Sequence, residues 1–141
     1  RRVTHSSGPS RVDVDASDFP MGDSLARRIE SIALARNTTG KCYAAVADAV
    51  DLEFGRFLYG RSAYMAADQL DNHPRFREVH IPASELRGLP AGAVVVWGKT
   101  GASPDGHISI ALGDGREASD HVDIQRTQLR GFTNVRVFMP V

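Results

Sequence analysis

A chain of 141 residues is one domain's worth, long enough to bury about two-thirds of the surface that its unfolded form exposes. With 42% apolar and 24% charged residues it has a globular make-up, and 17 Lys+Arg against 17 Asp+Glu leave no net field to draw it to nucleic acid or to an anionic membrane. No apolar run approaches the ~20 residues of a membrane span, and one cysteine rules out an internal disulfide, so neither nucleic-acid binding nor membrane insertion is expected.

The chain opens Arg1-Arg2 rather than with Met, the expectation being that upstream residues, and any targeting signal among them, have been removed. Residues 1–20 are polar, hold Gly8-Pro9-Ser10 and read as a linker or a loosely docked N-terminal arm; residues 21–141 read as the folded domain. From Asp23 the pattern is helical. Leu25, Ile29, Ile32 and Ala33 recur at three- and four-residue spacing, and Asp23 or Ser24 serves as N-cap. A second helix is predicted from about Lys41 to Leu52, with Cys42, Ala45, Val46, Ala49 and Val50 on one stripe, and Ser62–Leu70 is predicted helical too. Then the period changes. Ala91–Gly98, His107–Leu112 and Val135–Val141 are short, rich in β-branched residues and bounded by Gly or Pro, which predicts strands, and Gly113-Asp114-Gly115 is a hairpin turn. Helices first and an antiparallel sheet afterwards predict an α+β architecture.

The lone thiol sits at a helix mouth. With Thr39 or Gly40 as N-cap, Cys42 falls in the first turn, where unpaired N–H groups and the positive end of the helix dipole stabilise a thiolate and Lys41 adds a positive neighbour. The same N–H groups suit the oxyanion of a tetrahedral intermediate. A buried, inert thiol is the competing reading, since free Cys is among the most buried residue types. A Cys nucleophile needs a base, and His107 heads a strand whose Ile108, Ile110 and Leu112 face a core, so that His107, Ser109 and Ala111 face the other way. His5, His73 and His80 fall in the arm or in loops, and neither HExxH nor CxxC occurs, which argues against zinc.

In the order helix-borne Cys42, a Gly-Ala-Val-Val-Val-Trp strand, then His107 heading an Ile-rich strand closed by Gly-x-Gly, the chain resembles the NlpC-type and CHAP-type peptidoglycan peptidases, minimal papain-like cysteine enzymes. The stretches GKCYAAV, GRSAYMAADQL, LPAGAVVVWGK and GHISIALGDGREASDH carry the likeness, over roughly Gly40 to Asp123. Tyr43 stands where many NlpC-like enzymes have Ser, which places the chain nearer the CHAP side. The resemblance implies a minimal papain-like fold, with N-terminal helices packed on an antiparallel sheet. It implies Cys42 as nucleophile and His107 as base, with a polar residue after the Gly113–Gly115 turn orienting the imidazole. Arg61, Ser62 and Gln69 would border the substrate cleft. The implied reaction is hydrolysis of an amide in the peptidoglycan stem peptide, with no metal and no cofactor, by a secreted or periplasmic protein. It leaves room for a cognate inhibitor protein as partner. A same-fold cysteine enzyme acting on a partner protein, and a non-catalytic binding domain with Cys42 buried, are the alternatives.

The third catalytic residue divides the indications. A three-residue turn pairs Leu112 with Arg116 and His107 with His121, so strict alternation puts Glu117, Ser119 and His121 on the side of His107 and Asp120 on the apolar side. That favours His121. A bulge at Ser119 would bring Asp120 across, and the Ser-Asp pair here resembles the CHAP-like branch, with a carboxylate the commoner partner of an imidazole N–H. Asp120 is the residue chosen, with His121 and Glu117 behind it.

Overall fold

The computed structural model describes residues 2–3, 14–100, 104–128 and 134–141. Helical spacing of apolar residues builds α1 (Gly22–Arg36), whose buried side carries Leu25, Ala26, Ile29 and Ala33. Neither expected cap is used: no side chain caps α1, Asp23 lies inside its first turn, and Ser24 Oγ instead donates to Glu53 at 2.9 Å. Asn37 in the left-handed conformation (φ 46°) closes the helix, its N–H bonded to the Ala33 carbonyl. Helix α2 (Cys42–Phe54) buries Tyr43, Ala45, Val46, Ala49 and Val50. The alanines on that stripe let α2 lie close against its neighbours. Ser62–Leu70 divides into a 3-10 turn, Ala63–Met65, and a short α3 (Ala66–Asp71).

The first strands, β1 (Arg2–Val3) and β2 (Val14–Asp15), pair with each other. The main sheet is built from β3 (Phe76–Val79), β4 (Val94–Trp97), β5 (His107–Ala111), β6 (Arg116–Ala118), β7 (Val122–Ile124) and β8 (Val135–Pro140). Among the described residues it runs β3-β8-β4-β5-β6-β7, antiparallel throughout. Both faces are covered. Val94, Val96, Ile108, Ile110, Ala118 and Phe138 pack against the helices, whereas Ala93, Val95, Trp97, Ala111, Val137 and Met139 pack with Leu86, Leu89, Val14 and Phe19. This is why central β4 reads as an unbroken apolar run rather than an alternating one. Trp97 is wholly buried there. Of the arm expected over residues 1–20, residues 1 and 4–13 lie outside the described residues, His5 among them, while Val14 and Phe19 are buried.

Two elements differ from expectation. Strand β3 (Phe-Arg-Glu-Val) carries no period-2 pattern; it exists because β8, near the C-terminus, pairs with it from Phe76↔Pro140 to Val79↔Val137. The β5–β6 register runs as expected through Ala111↔Glu117 and Ile110↔Ala118. There the strand stops. The chain bends back over Ser119–His121, the Ser119 N–H bonding the His121 carbonyl at 3.0 Å, and Val122 pairs with Ala118 to start β7. His107 therefore has no strand partner at His121, and the bulge expected at Ser119 is a hairpin turn. Near the start of α1, backbone meets backbone: a Cβ on Gly92 (φ 94°) would stand 2.3 Å from Gly22 Cα. No other residue fits that crossing.

Candidate active site

Cys42 is the first residue of α2 and is half-buried. The chain reaches it through Gly40, whose φ of 80° is a turn that a side chain would resist. The first intrahelical bond of α2 joins the Ala45 N–H to the Lys41 carbonyl at 3.3 Å, so the N–H groups of Cys42, Tyr43 and Ala44 lie ahead of the helical ladder. They are the donors that an oxyanion beside the Cys42 sulfur would meet.

His107 begins β5 directly after Gly106 (φ 72°), where a Cβ would stand 2.3 Å from the Trp97 carbonyl oxygen. The imidazole is 7% exposed. Its Nε2 lies 2.8 Å from Glu117 Oε2, and the Cys42 side chain is its other hydrogen-bonding neighbour. With Nε2 engaged, Nδ1 is the nitrogen left for the sulfur. Burial disfavours the charged ring, but the Cys42 side chain and the Glu117 carboxylate outweigh it and push the pKa up to about 9.

Glu117, 3% exposed, is held at both oxygens. Oε1 accepts the Arg126 N–H at 2.7 Å and Gln125 Nε2 at 3.0 Å, while Oε2 faces the ring. Gln125 is itself fixed: its backbone N–H bonds the Gly115 carbonyl, its backbone carbonyl accepts from Arg87 Nε, and its side-chain Nε2 also reaches the Arg126 carbonyl. Ser109 and Ala111 lie on the same side of β5 as His107, and both are small.

The structure thus brings Cys42, His107 and Glu117 together and does not bring Asp120 to His107. The reason is the hairpin. Because the chain bends at Ser119–His121, the Asp120 carboxylate goes to the mouth of α2, where Oδ2 accepts the Lys41 N–H at 2.9 Å and Thr38 Oγ1 at 3.1 Å. His121 follows it, with Nδ1 3.0 Å from Asp120 Oδ1 and no bond to His107. Simple strand parity did place Glu117 on the correct side. Gln125 lies beyond the second hairpin and left no signal in the sequence. His73 stacks on Phe57, with ring centroids 3.9 Å apart.

A cleft of about 230 Å³ opens on the sulfur, lined by Lys41, Cys42, Tyr43, Arg61, Ala63 and Asp105 among others. The loop that carries Arg61 is clamped: Gln69 accepts the Tyr59 N–H at 2.6 Å and donates to the Tyr59 carbonyl at 2.7 Å, and the Tyr43 hydroxyl donates to that carbonyl at 2.7 Å. Ser62 Oγ donates to Asp105, whereas Arg61 and Lys41 pair with no carboxylate among the described residues. A larger hollow of about 390 Å³ between α1 and α2, by Arg27, Arg28 and Leu52, holds neither thiol nor imidazole.

No family model matches the chain, and no curated protein matches it. Two solved structures superpose on it. Both are of the type VI effector–immunity complex Tae3–Tai3 from Ralstonia pickettii, one native and one with selenomethionine. The native one has a TM-score of 0.64 at 22% identity, covering 85% of this chain and 98% of the other; the second has a TM-score of 0.61 at 22%, covering 82% and 99%. The shared property is the fold. It is a minimal papain-like fold, helices on an antiparallel sheet; in this chain Cys42 stands at the head of a helix and His107 at the head of a strand.

Proposed function

We propose that this protein is a cysteine hydrolase that cuts an amide bond of the peptidoglycan stem peptide, with Cys42 as nucleophile, His107 as base and acid, and Glu117 as the group that orients and charges the imidazole. The observation that carries the reading is the line from half-buried Cys42 through buried His107 to buried Glu117, with both oxygens of the carboxylate occupied. Three such groups in sequence are what acyl transfer to a thiol needs.

With the proton of Cys42 Sγ already held on His107, the sulfur attacks the amide carbonyl carbon, and the oxyanion turns to the free N–H groups at the mouth of α2. The C–N bond breaks as His107 returns the proton to the leaving amine, which leaves a thioester on Cys42. Water then gives a proton to His107 and attacks that thioester; the carboxylic acid departs and the thiol is restored. Glu117 faces the imidazolium throughout and stabilises it. Arg61 and Lys41 line the cleft and pair with no carboxylate among the described residues, which suits a substrate rich in carboxylates, as a stem peptide is. The fold's neighbours are an effector with its immunity protein. That pairing supports an antibacterial effector acting on the wall outside the cytoplasm, with a cognate inhibitor protein as its partner.

The test is digestion of purified sacculi by the wild type and by Cys42→Ala, with the products read by mass spectrometry. New amine and carboxyl termini on soluble muropeptides from the wild type, and none from the variant, are expected. Equal digestion by both, or an intact wall with the wild type, overturns the reading.

A further inference from the structure

Asp120 is wholly buried, and its carboxylate is saturated without touching His107. Oδ2 accepts from the Lys41 N–H and Thr38 Oγ1; Oδ1 accepts from Ser119 Oγ at 3.2 Å and lies 3.0 Å from His121 Nδ1. Its backbone carbonyl accepts the Thr38 N–H at 2.9 Å. Burial alone would favour the neutral acid, but the Lys41 N–H, His121 and Thr38 outweigh it and keep the group below its ordinary pKa.

The segment so gripped is the approach to Cys42. Thr38 to Lys41 is exposed on the surface, it turns at Gly40, and the N-cap position of α2, Lys41, offers no side-chain acceptor. The first turn of α2 holds no acid either. Left to its own residues, this helix mouth would be free to fray.

We propose that Asp120 is a positioning residue for Cys42: from a hairpin 79 positions away it caps α2, fixing the backbone of Thr38–Lys41 so that the sulfur and the free N–H groups behind it face the cleft. It takes the Lys41 N–H and leaves those of Cys42, Tyr43 and Ala44 for the oxyanion. Asp120 does not line the cleft, so its charge is spent on the backbone and not on the substrate. The capping rests on the geometry alone; its kinetic consequence rests on the hydrolase reading above.

The test compares Asp120→Ala, Asp120→Asn and Thr38→Val with Glu117→Gln. Amide hydrogen exchange reads the helix mouth, and kcat, KM and the alkaline limb of the pH profile are read on muropeptides well below each variant's Tm. In Asp120→Ala, exchange over residues 40–45 rises at least about tenfold while that of β5 holds, and kcat falls about 100-fold with KM within about twofold. The alkaline limb stays where the wild type has it, whereas Glu117→Gln moves it. Asp120→Asn, whose amide oxygen still accepts the Lys41 N–H, recovers most of kcat. Thr38→Val gives a milder form of the same pattern and serves if Asp120→Ala does not fold. Wild-type kcat in Asp120→Ala, unchanged exchange at the helix mouth, or an alkaline limb that moves as in Glu117→Gln overturns the proposal. A wild type that cuts no muropeptide defeats the hydrolase reading instead, and the exchange measurement still decides the capping.

Discussion

Glu117 differs from Asp120 by one methylene and three positions, and the difference in what they touch is set by a hairpin. Glu117 precedes the bend and shares a side of the sheet with His107; Asp120 sits inside the bend and is carried to α2. Both carboxylates are buried, and each is satisfied by backbone N–H groups, which is what allows a buried charge at all. Cys42 stands at a helix start, half-buried against the edge of the core. Replacing it with Ala keeps helix propensity and removes one half-buried sulfur, so Cys42→Ala is expected to lose hydrolysis while its melting temperature stays within about 4 °C of wild type. A Tm lowered far beyond that, measured by calorimetry, would mark Cys42 as a packing residue. Cys42 and His107 were legible in the sequence because a helix mouth and a strand head are local patterns. The partner of His107 was not, since Ser119-Asp120-His121 lacks Gly and Pro and its Ser-Asp pair suits a bulge as well as a hairpin turn.

At the scale of elements, the site depends on where α2 and β5 begin. Each start is preceded by a glycine in the left-handed region, Gly40 and Gly106. The start of α1 depends likewise on the backbone crossing of Gly22 and Gly92. Gly92→Ala forces both a positive φ and a clash with backbone that has no flexible end to yield, so it is expected to cost about 3 kcal/mol of stability or more, read by denaturant unfolding. A midpoint equal to wild type would show that the crossing relaxes freely. The helices and β4, β5 and β8 were readable from period and composition. Strand β3 was not, because Phe76–Val79 takes its structure from β8, some 60 residues on, and not from its own pattern.

Across the whole molecule, a sheet covered on both faces holds two strand-borne groups, His107 and Glu117, against a helix-borne thiol. On the proposed reading, nucleophile, base and orienting carboxylate are all side chains of this protein, and no metal takes part. Activity is therefore expected to survive EDTA and to vanish on alkylation of Cys42; loss in chelator with recovery on added zinc would contradict this. The most direct measurement is the pH dependence of kcat/KM for the wild type and Glu117→Gln. His107 must carry a proton to deliver it to the leaving amine, and its raised pKa of about 9 keeps that proton in place through neutral pH, so wild-type activity falls only as pH rises through about 9. Removing the Glu117 charge removes a cause of that rise. The expected result for Glu117→Gln is an alkaline limb displaced to lower pH by about one unit or more, with kcat reduced about 100-fold. A variant with the wild-type limb and the wild-type rate would contradict the assignment of Cys42, His107 and Glu117 as one catalytic unit.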